Sequence, residues 1–220
     1  MLGKQEKAIQ LLKQNKYEEA AKLFIEIIDE NSEDPIGYIN FGNLLVMMNN
    51  FEEAERFYFK AIEIDEKAAT AFSGLGSLYY ERGLLEEAEK MLQHAVHLGV
   101  EDSEAYYLLG LIYVKRENVM IAIPYLQRAV ELGNDTDKKF QYGLALAQTN
   151  YLKEAKNILK EVIDEDASHA DALYNLGIIK LHEKKLEEAL AYFDQTLMSQ
   201  PDHSLAKKAK QNMLKMKDKT

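Results

Sequence analysis

Apolar and polar positions alternate along this chain in a long-range pattern. In each block of about thirty-four residues, apolar side chains recur at helical spacing in two runs, with a polar break between them. An alanine falls at one place in every block: Ala20, Ala54, Ala88, Ala122, Ala155 and Ala189. Twelve residues before each stands another small residue, Ala8 and then Gly42, Gly76, Gly110, Gly143 and Gly177. Self-similarity at this period is the mark of stacked helical pairs. It predicts an all-α chain and points towards binding rather than catalysis.

With the glycine at the eighth position, the blocks fall at 1–34, 35–68, 69–102, 103–135, 136–169 and 170–203, within one domain spanning 1–220. Each reads as helix, short turn, helix. The breaks carry turn-forming residues, namely Asn15, Asn49-Asn50, Gly83, Asn118 and Asn150. Helices approach closely only where the side chains at their crossing are small, so Gly42 is expected to face Ala54. Glycine inside a helix costs about 1 kcal/mol relative to alanine, and five at one position demand a packing reason. A further small position, Ala61, Ala95 and Ala129, lapses to Val162 and Thr196, where looser packing is expected. Segment 204–220 has helical composition, with Leu205, Ala209, Met213 and Met216 three to four residues apart among lysines. It is expected to cap the last apolar face.

The residues Ala172-Leu173-Tyr174-Asn175-Leu176-Gly177, followed by Leu186-Glu187-Glu188-Ala189, Phe193 and Pro201, resemble a tetratricopeptide repeat. Tyr38, Phe41, Gly42, Ala54, Tyr58 and Ala61 in the second block, and Tyr106, Leu109, Gly110, Tyr113, Ala122, Leu126 and Ala129 in the fourth, carry the same pattern. Lys180 departs from it, and Lys4 and Lys7 weaken the first helix. The resemblance implies a right-handed α-solenoid of six helix-turn-helix repeats plus a C-terminal capping helix, with the first helices lining a concave groove.

That resemblance places specific residues in the groove. One row holds Ile39, Ser73, Tyr107, Phe140 and Tyr174; a second holds Asn43, Ser77, Leu111, Leu144 and Ile178; a third includes Val46, Tyr80 and Val114. The later repeats are therefore expected to offer aromatic and aliphatic rungs to a partner. In the third repeat, Ser73, Gly74 and Ser77 leave the floor nearly bare, and a pocket is expected there. Asn40, Asn43 and Asn175 could hold an extended main chain, since an amide both donates and accepts. The Lys/Asn set with which some members of the family grip a terminal carboxylate is not supplied by any three successive repeats. Glu6, Glu81, Glu104, Asp137 and Asp171 outnumber Lys13 and Lys115 at groove positions. An apolar or aromatic partner segment with basic residues is expected.

Composition narrows the remaining choices. Apolar residues make up 47% and charged residues 29%, enough for a core. There is no cysteine, so disulfides and thiolate chemistry are excluded. The polar amino terminus has no signal-peptide core, and no apolar run is long enough to span a bilayer. The sequence is read as that of a soluble, cytoplasmic protein. Net charge is −10, yet 204–220 hold six lysines against one acid. An acidic body disfavours nucleic acid.

Chemistry-bearing motifs dissolve into the repeat. Glu18-Glu19, Glu52-Glu53, Glu86-Glu87 and Glu187-Glu188 open the second helices, where they oppose the positive dipole end. His94 and His97, and the loop residues His169 and His203, are read as surface histidines. Pro124 should distort its helix locally. No cofactor, metal or small-molecule substrate is expected. The reading is a non-enzymatic adaptor or scaffold holding a protein or peptide partner. The alternatives are self-association through the groove, or contact with nucleic acid or membrane through the basic C-terminal helix.

Overall fold

The structure, a computed structural model, describes residues 3–217. Among them are thirteen helices and no strand. In order they are α1 (Lys4–Lys13), α2 (Tyr17–Glu30), α3 (Pro35–Met47), α4 (Phe51–Ile64), α5 (Ala69–Glu81), α6 (Leu85–His97) and α7 (Ser103–Lys115). They continue with α8 (Val119–Leu132), α9 (Thr136–Gln148), α10 (Leu152–Glu165), α11 (Ala170–His182), α12 (Leu186–Ser199) and α13 (Ser204–Lys217). Two compact units divide between Ile112 and Tyr113. In the first, α1 packs on α2, α3 on α4 and α5 on α6, with α2 meeting α3 and α4 meeting α5. In the second, α9 packs on α10, α11 on α12 and α12 on α13.

Each hairpin turns in the same way. Asn15, Asn49, Gly83, Glu117, Asn150 and Lys184 all adopt a left-handed backbone, with φ between 58° and 75°. Two reversed hydrogen bonds flank each. At the first turn, Lys16 N donates to Leu11 O and Asn15 N to Leu12 O; at the last, Lys185 N donates to Lys180 O and Lys184 N to Leu181 O. This arrangement satisfies carbonyls that the helix end would leave orphaned. The fourth turn pivots on Glu117 rather than Asn118, and the sixth on Lys184, which the sequence does not single out. The second helices of these hairpins have no side-chain cap. Acids in their first turns, Glu18-Glu19, Glu52-Glu53, Glu86-Glu87 and Glu187-Glu188, supply the compensating charge.

The glycines do face the second helices, and the nearest atoms they meet there belong to large side chains. A Cβ on Gly42 would stand 2.9 Å from Cε1 of Tyr58; on Gly76, 2.5 Å from Cγ of Leu92; on Gly177, 2.6 Å from Cε1 of Phe193. In each case the contact lies sixteen residues on. The glycine makes room for a large buried side chain, while Ala54, Ala88 and Ala189, fully buried themselves, let the helices come near enough for that side chain to reach.

Other expectations need correction as well. Val162 and Thr196 are fully buried, and the Thr196 hydroxyl donates to Tyr192 O at 2.9 Å, so the repeat does not loosen there. Lys180 is buried but paired with Glu188 and with Glu183 at 3.7 Å, so the charge is answered rather than stranded. Lys4 reaches Glu26 at 2.8 Å and Glu30 at 2.6 Å, which ties α1 to α2. α8 runs on through Pro124, whose lost hydrogen bond concerns the carbonyl of exposed Met120. α13 buries Ala206 and Met213 against Ala189 and Phe193, with Ala209 partly buried. Leu205 points the other way and is exposed, and the Met216 side chain lies outside the described residues. Lys210 meets Asp194 at 2.5 Å, so this lysine serves the docking of the helix.

Candidate functional site

A pocket of about 350 Å³ opens in the first unit. The first helices of the second and third repeats supply most of it: Ile39, Asn43, Val46 and Met47 from α3, and Thr70, Ser73, Gly74 and Ser77 from α5. Tyr58 enters from α4, and Asp102 and Glu104 come from the start of α7. Five of the expected groove residues, Ile39, Asn43, Val46, Ser73 and Ser77, are thus brought together. Asn40 and Tyr80 are not among its walls.

Local sequence explains the shape. Small residues on α5 leave the space, and Tyr58 takes part of it. A Cβ on Gly74 would stand 2.5 Å from Cε1 and 2.7 Å from Cζ of Tyr58, so the ring lies across both Gly42 and Gly74. The floor is therefore tiled by an aromatic ring rather than bare. The Tyr58 hydroxyl donates to Asn43 Oδ1 at 2.6 Å. Burial, and then the charge of Glu81, push this phenol well above its ordinary range, so it stays a neutral donor. Because its carbonyl oxygen is taken, the Asn43 amide has N–H donors to offer a ligand.

The polar end is similarly organised. Ser73 is buried, and its hydroxyl donates to Asp102 Oδ2 at 2.6 Å. The other carboxylate oxygen of Asp102 accepts from Glu104 N at 3.0 Å, capping α7. Asp102 is consequently a fixed negative charge in the pocket wall. Burial and then the charge of Glu104 raise the Tyr80 phenol.

Met47, Tyr58, Thr70 and Asp102 are the site residues that the sequence did not place in the groove. A signal for Asp102 existed. In the third, fifth and sixth repeats the last residue caps the next first helix and also touches the groove row: Phe140 lies against His169 with rings 4.5 Å apart, and Tyr174 against His203 at 5.0 Å. Ser73 with Asp102 is the hydrogen-bonded version of this pairing, at the same separation of twenty-nine residues.

That pairing revises the two histidines. His169 Nδ1 accepts from Ala172 N at 3.2 Å, and His203 Nδ1 from Ala206 N at 3.1 Å. With Nδ1 accepting, the neutral His203 ring carries its proton on Nε2 and donates to Asp171 Oδ1, 3.1 Å away. His203 is 7% exposed. Both are capping residues, not surface ones. His94 and His97 do lie exposed, with His94 against Phe72. Among the described residues, no group of three or more His, Asp or Glu side chains is arranged to hold a metal, and no helix is long and apolar enough to cross a membrane.

In the second unit, Phe140 and Tyr174 are half-buried against these histidines, and Tyr174 also against Phe193 at 5.8 Å. Leu144, Ile178 and Val114 are half-buried too, as are Tyr107 and Leu111 of the first unit. Asn175 spends an amide donor on Asp171 O at 2.8 Å within its own helix, which leaves it less to offer a main chain. The Phe140 and Tyr174 rings thus have packing roles in their own repeats.

The comparisons agree with this architecture. A family model described as tetratricopeptide repeat matches residues 11–67 and 146–213, and a second of the same description matches 73–137. Among solved structures, YrrB, described as a TPR protein with an unusual peptide-binding site, is 44% identical with a TM-score of 0.79. That match covers 87% of this chain and 99% of YrrB. MamA is 25% identical with a TM-score of 0.65, covering 77% of this chain and 93% of that one. PilF of Pseudomonas aeruginosa, 18% identical with a TM-score of 0.75 and 93% of each chain covered, shares the fold. Human DnaJ homolog subfamily C member 7 is 34% identical over 74 residues, which span 34% of this chain and 15% of that protein. Repeat matches along most of its length, helical hairpins with one common turn, and close likeness to YrrB place the chain in the tetratricopeptide repeat family, whose members are typically non-enzymatic protein–protein interaction modules.

Proposed function

We propose that this protein is an adaptor that holds an extended segment of a partner protein, with the α3–α5 pocket as the principal contact. The observation that carries the reading is the pocket itself. Three elements beyond its floor helix converge on it, its walls are largely apolar, and a few fixed polar groups stand among them. Apolar walls supply the driving force, and the Asn43 amide and Ser77 hydroxyl supply partners for main-chain groups. The likeness to YrrB, itself described as having a peptide-binding site, supports the same reading. The other candidate contacts of the first unit, Asn40, Tyr80, Tyr107 and Leu111, belong to the proposal as flanking positions, and those of the second unit, Val114, Phe140, Leu144, Tyr174, Asn175 and Ile178, as a candidate surface of their own.

The test is a selection of displayed random peptides on the wild-type protein, with Ser77→Phe as counter-target. Ser77 is half-buried on the pocket wall, so a phenyl ring there fills the space. Selected peptides should bind the wild type and lose affinity for Ser77→Phe, whose fold is checked by circular dichroism. Peptides that bind both proteins equally would refute the proposal.

A further inference from the structure

We infer that the first turns of α8 form a second docking surface, for a short acidic segment that also carries apolar side chains; it belongs to the second unit and does not depend on the α3–α5 reading. Five of the six second helices hold at least one glutamate at their second and third positions: Glu18-Glu19, Glu52-Glu53, Glu86-Glu87, Lys153-Glu154 and Glu187-Glu188. α8 has Met120-Ile121 there and no acid in its first turn. These two side chains are 58% and 49% exposed, and Pro124, one turn on, is exposed as well. Ala122, Leu126 and Ala129 make the core contacts of α8 and are fully buried. Packing therefore does not account for Met120 and Ile121, and their presence gives up charge that favours a helix start.

Three features select the occupant. Pro124 has no N–H to return to the Met120 carbonyl, so a main-chain acceptor stands among the apolar side chains. The turn that leads into α8 holds Lys115 and Arg116 against Glu117, all exposed. The next hairpin of the same unit brings exposed Tyr151 and Lys153, with Lys153 at the repeat position of Met120. An acidic segment answers all three: apolar side chains on Met120, Ile121 and Pro124, a main-chain N–H on the Met120 carbonyl, and carboxylates towards the lysines. A second copy of the chain fits less well. Three exposed side chains fall short of the roughly 800 Å² per partner that a stable interface buries, and each copy carries a net charge of −10. An anionic bilayer meets the same repulsion.

The experiment selects displayed random peptides on the full wild-type chain, with counter-selection on the double variant Met120→Glu, Ile121→Glu. The variant copies the acids of the other repeats, so its melting temperature should equal or exceed that of the wild type. Peptides that bind the α3–α5 pocket recognise both proteins and are removed, so the outcome does not bear on that reading. The survivors should combine apolar residues with Asp or Glu and shift the amides of Met120, Ile121 and Lys153. Replacing their acids by amides should weaken binding about five-fold at low salt, and Lys115→Gln with Lys153→Gln should do the same in an otherwise wild-type chain. If no peptide distinguishes the two proteins, or the survivors lack acids, the inference is overturned. Two further readouts test the other occupants. Wild-type protein that sediments with vesicles of phosphatidylserine and phosphatidylcholine, while the double variant does not, would assign the surface to lipid. A wild-type dimer and a monomeric variant in sedimentation velocity would assign it to a second copy. Either result overturns the acidic-segment inference.

Discussion

Gly177→Ala is the sharpest probe of how these repeats close. The new Cβ would stand 2.6 Å from Cε1, 2.9 Å from Cδ1 and 3.2 Å from Cζ of Phe193. That ring is fully buried and leans on Tyr174 at 5.8 Å, within a cluster that includes Ala189, Ala206 and Met213, so it cannot swing aside. Overpacking of this kind costs about 1–3 kcal/mol. Alanine returns about 1 kcal/mol of helix propensity over glycine. With a contact as short as 2.6 Å the cost belongs in the upper part of that range, so the net expectation is a loss of about 1–2 kcal/mol. Gly143→Ala is the control within the same unit. Its Cβ would meet Cγ and Cδ2 of Leu159 at 3.0 Å and Cγ2 of Ile158 at 3.3 Å, flexible aliphatic groups that can give by a few tenths of an ångström. Gain and loss should nearly cancel there. Urea unfolding followed by far-ultraviolet circular dichroism measures both, and hydrogen exchange in α11 and α12 guards against partial unfolding of a repeat array. The reasoning is refuted if Gly177→Ala is as stable as the wild type, or if Gly143→Ala loses more.

Other outcomes can be checked in the same way. Lys184→Gly should stabilise by roughly 0.5–1 kcal/mol in thermal and urea melts, because a non-glycine residue at φ 61° bears left-handed strain that glycine lacks. A loss of stability would contradict the turn geometry. His203→Ala should cost about 1–2 kcal/mol by removing the α13 cap and the contact with Tyr174, and should speed amide exchange at Ala206. Unchanged exchange there would contradict the capping role. Glu183 is held down to about 2 by the hydrogen bond from Lys156 and by the ammonium of Lys185, 3.2 Å away. Because its folded pKa is depressed, the stability it contributes is complete above its ordinary value near 4.5 and drains away as pH falls towards 2. Glu183→Gln should therefore flatten the pH–stability profile in that window, and an unchanged slope would exclude the pairing as its cause.

Much of this structure was legible because a repeat multiplies each signal. Six alanines and five glycines in register point to helical pairs more firmly than any single propensity does, and the helix boundaries follow. What escaped were the partners. The small positions suggested glycine against alanine, whereas Gly42 and Gly177 make room for Tyr58 and Phe193, because the second helix presents a large residue four positions past the alanine. His169 and His203 looked like loop residues. Their capping role depends on the backbone N–H groups they face, which composition does not encode. The pocket was foreshadowed by Ser73, Gly74 and Ser77. Its acidic wall was not, since Asp102 reaches Ser73 from an element twenty-nine residues away. Lys180 appeared to be a packing fault for a similar reason, as Glu188, which answers it together with neighbouring Glu183, lies across the turn.

The central claim is that a partner segment sits between α3 and α5 in the first unit. Amide chemical-shift mapping with a peptide selected on the wild-type protein addresses it most directly. The account predicts the largest shifts at Asn43, Gly74, Ser77 and Glu104, with small ones on the exposed second-helix residues Arg56, Phe59 and Lys90. Shifts centred on those second-helix residues, with Asn43 and Ser77 unmoved, would contradict it.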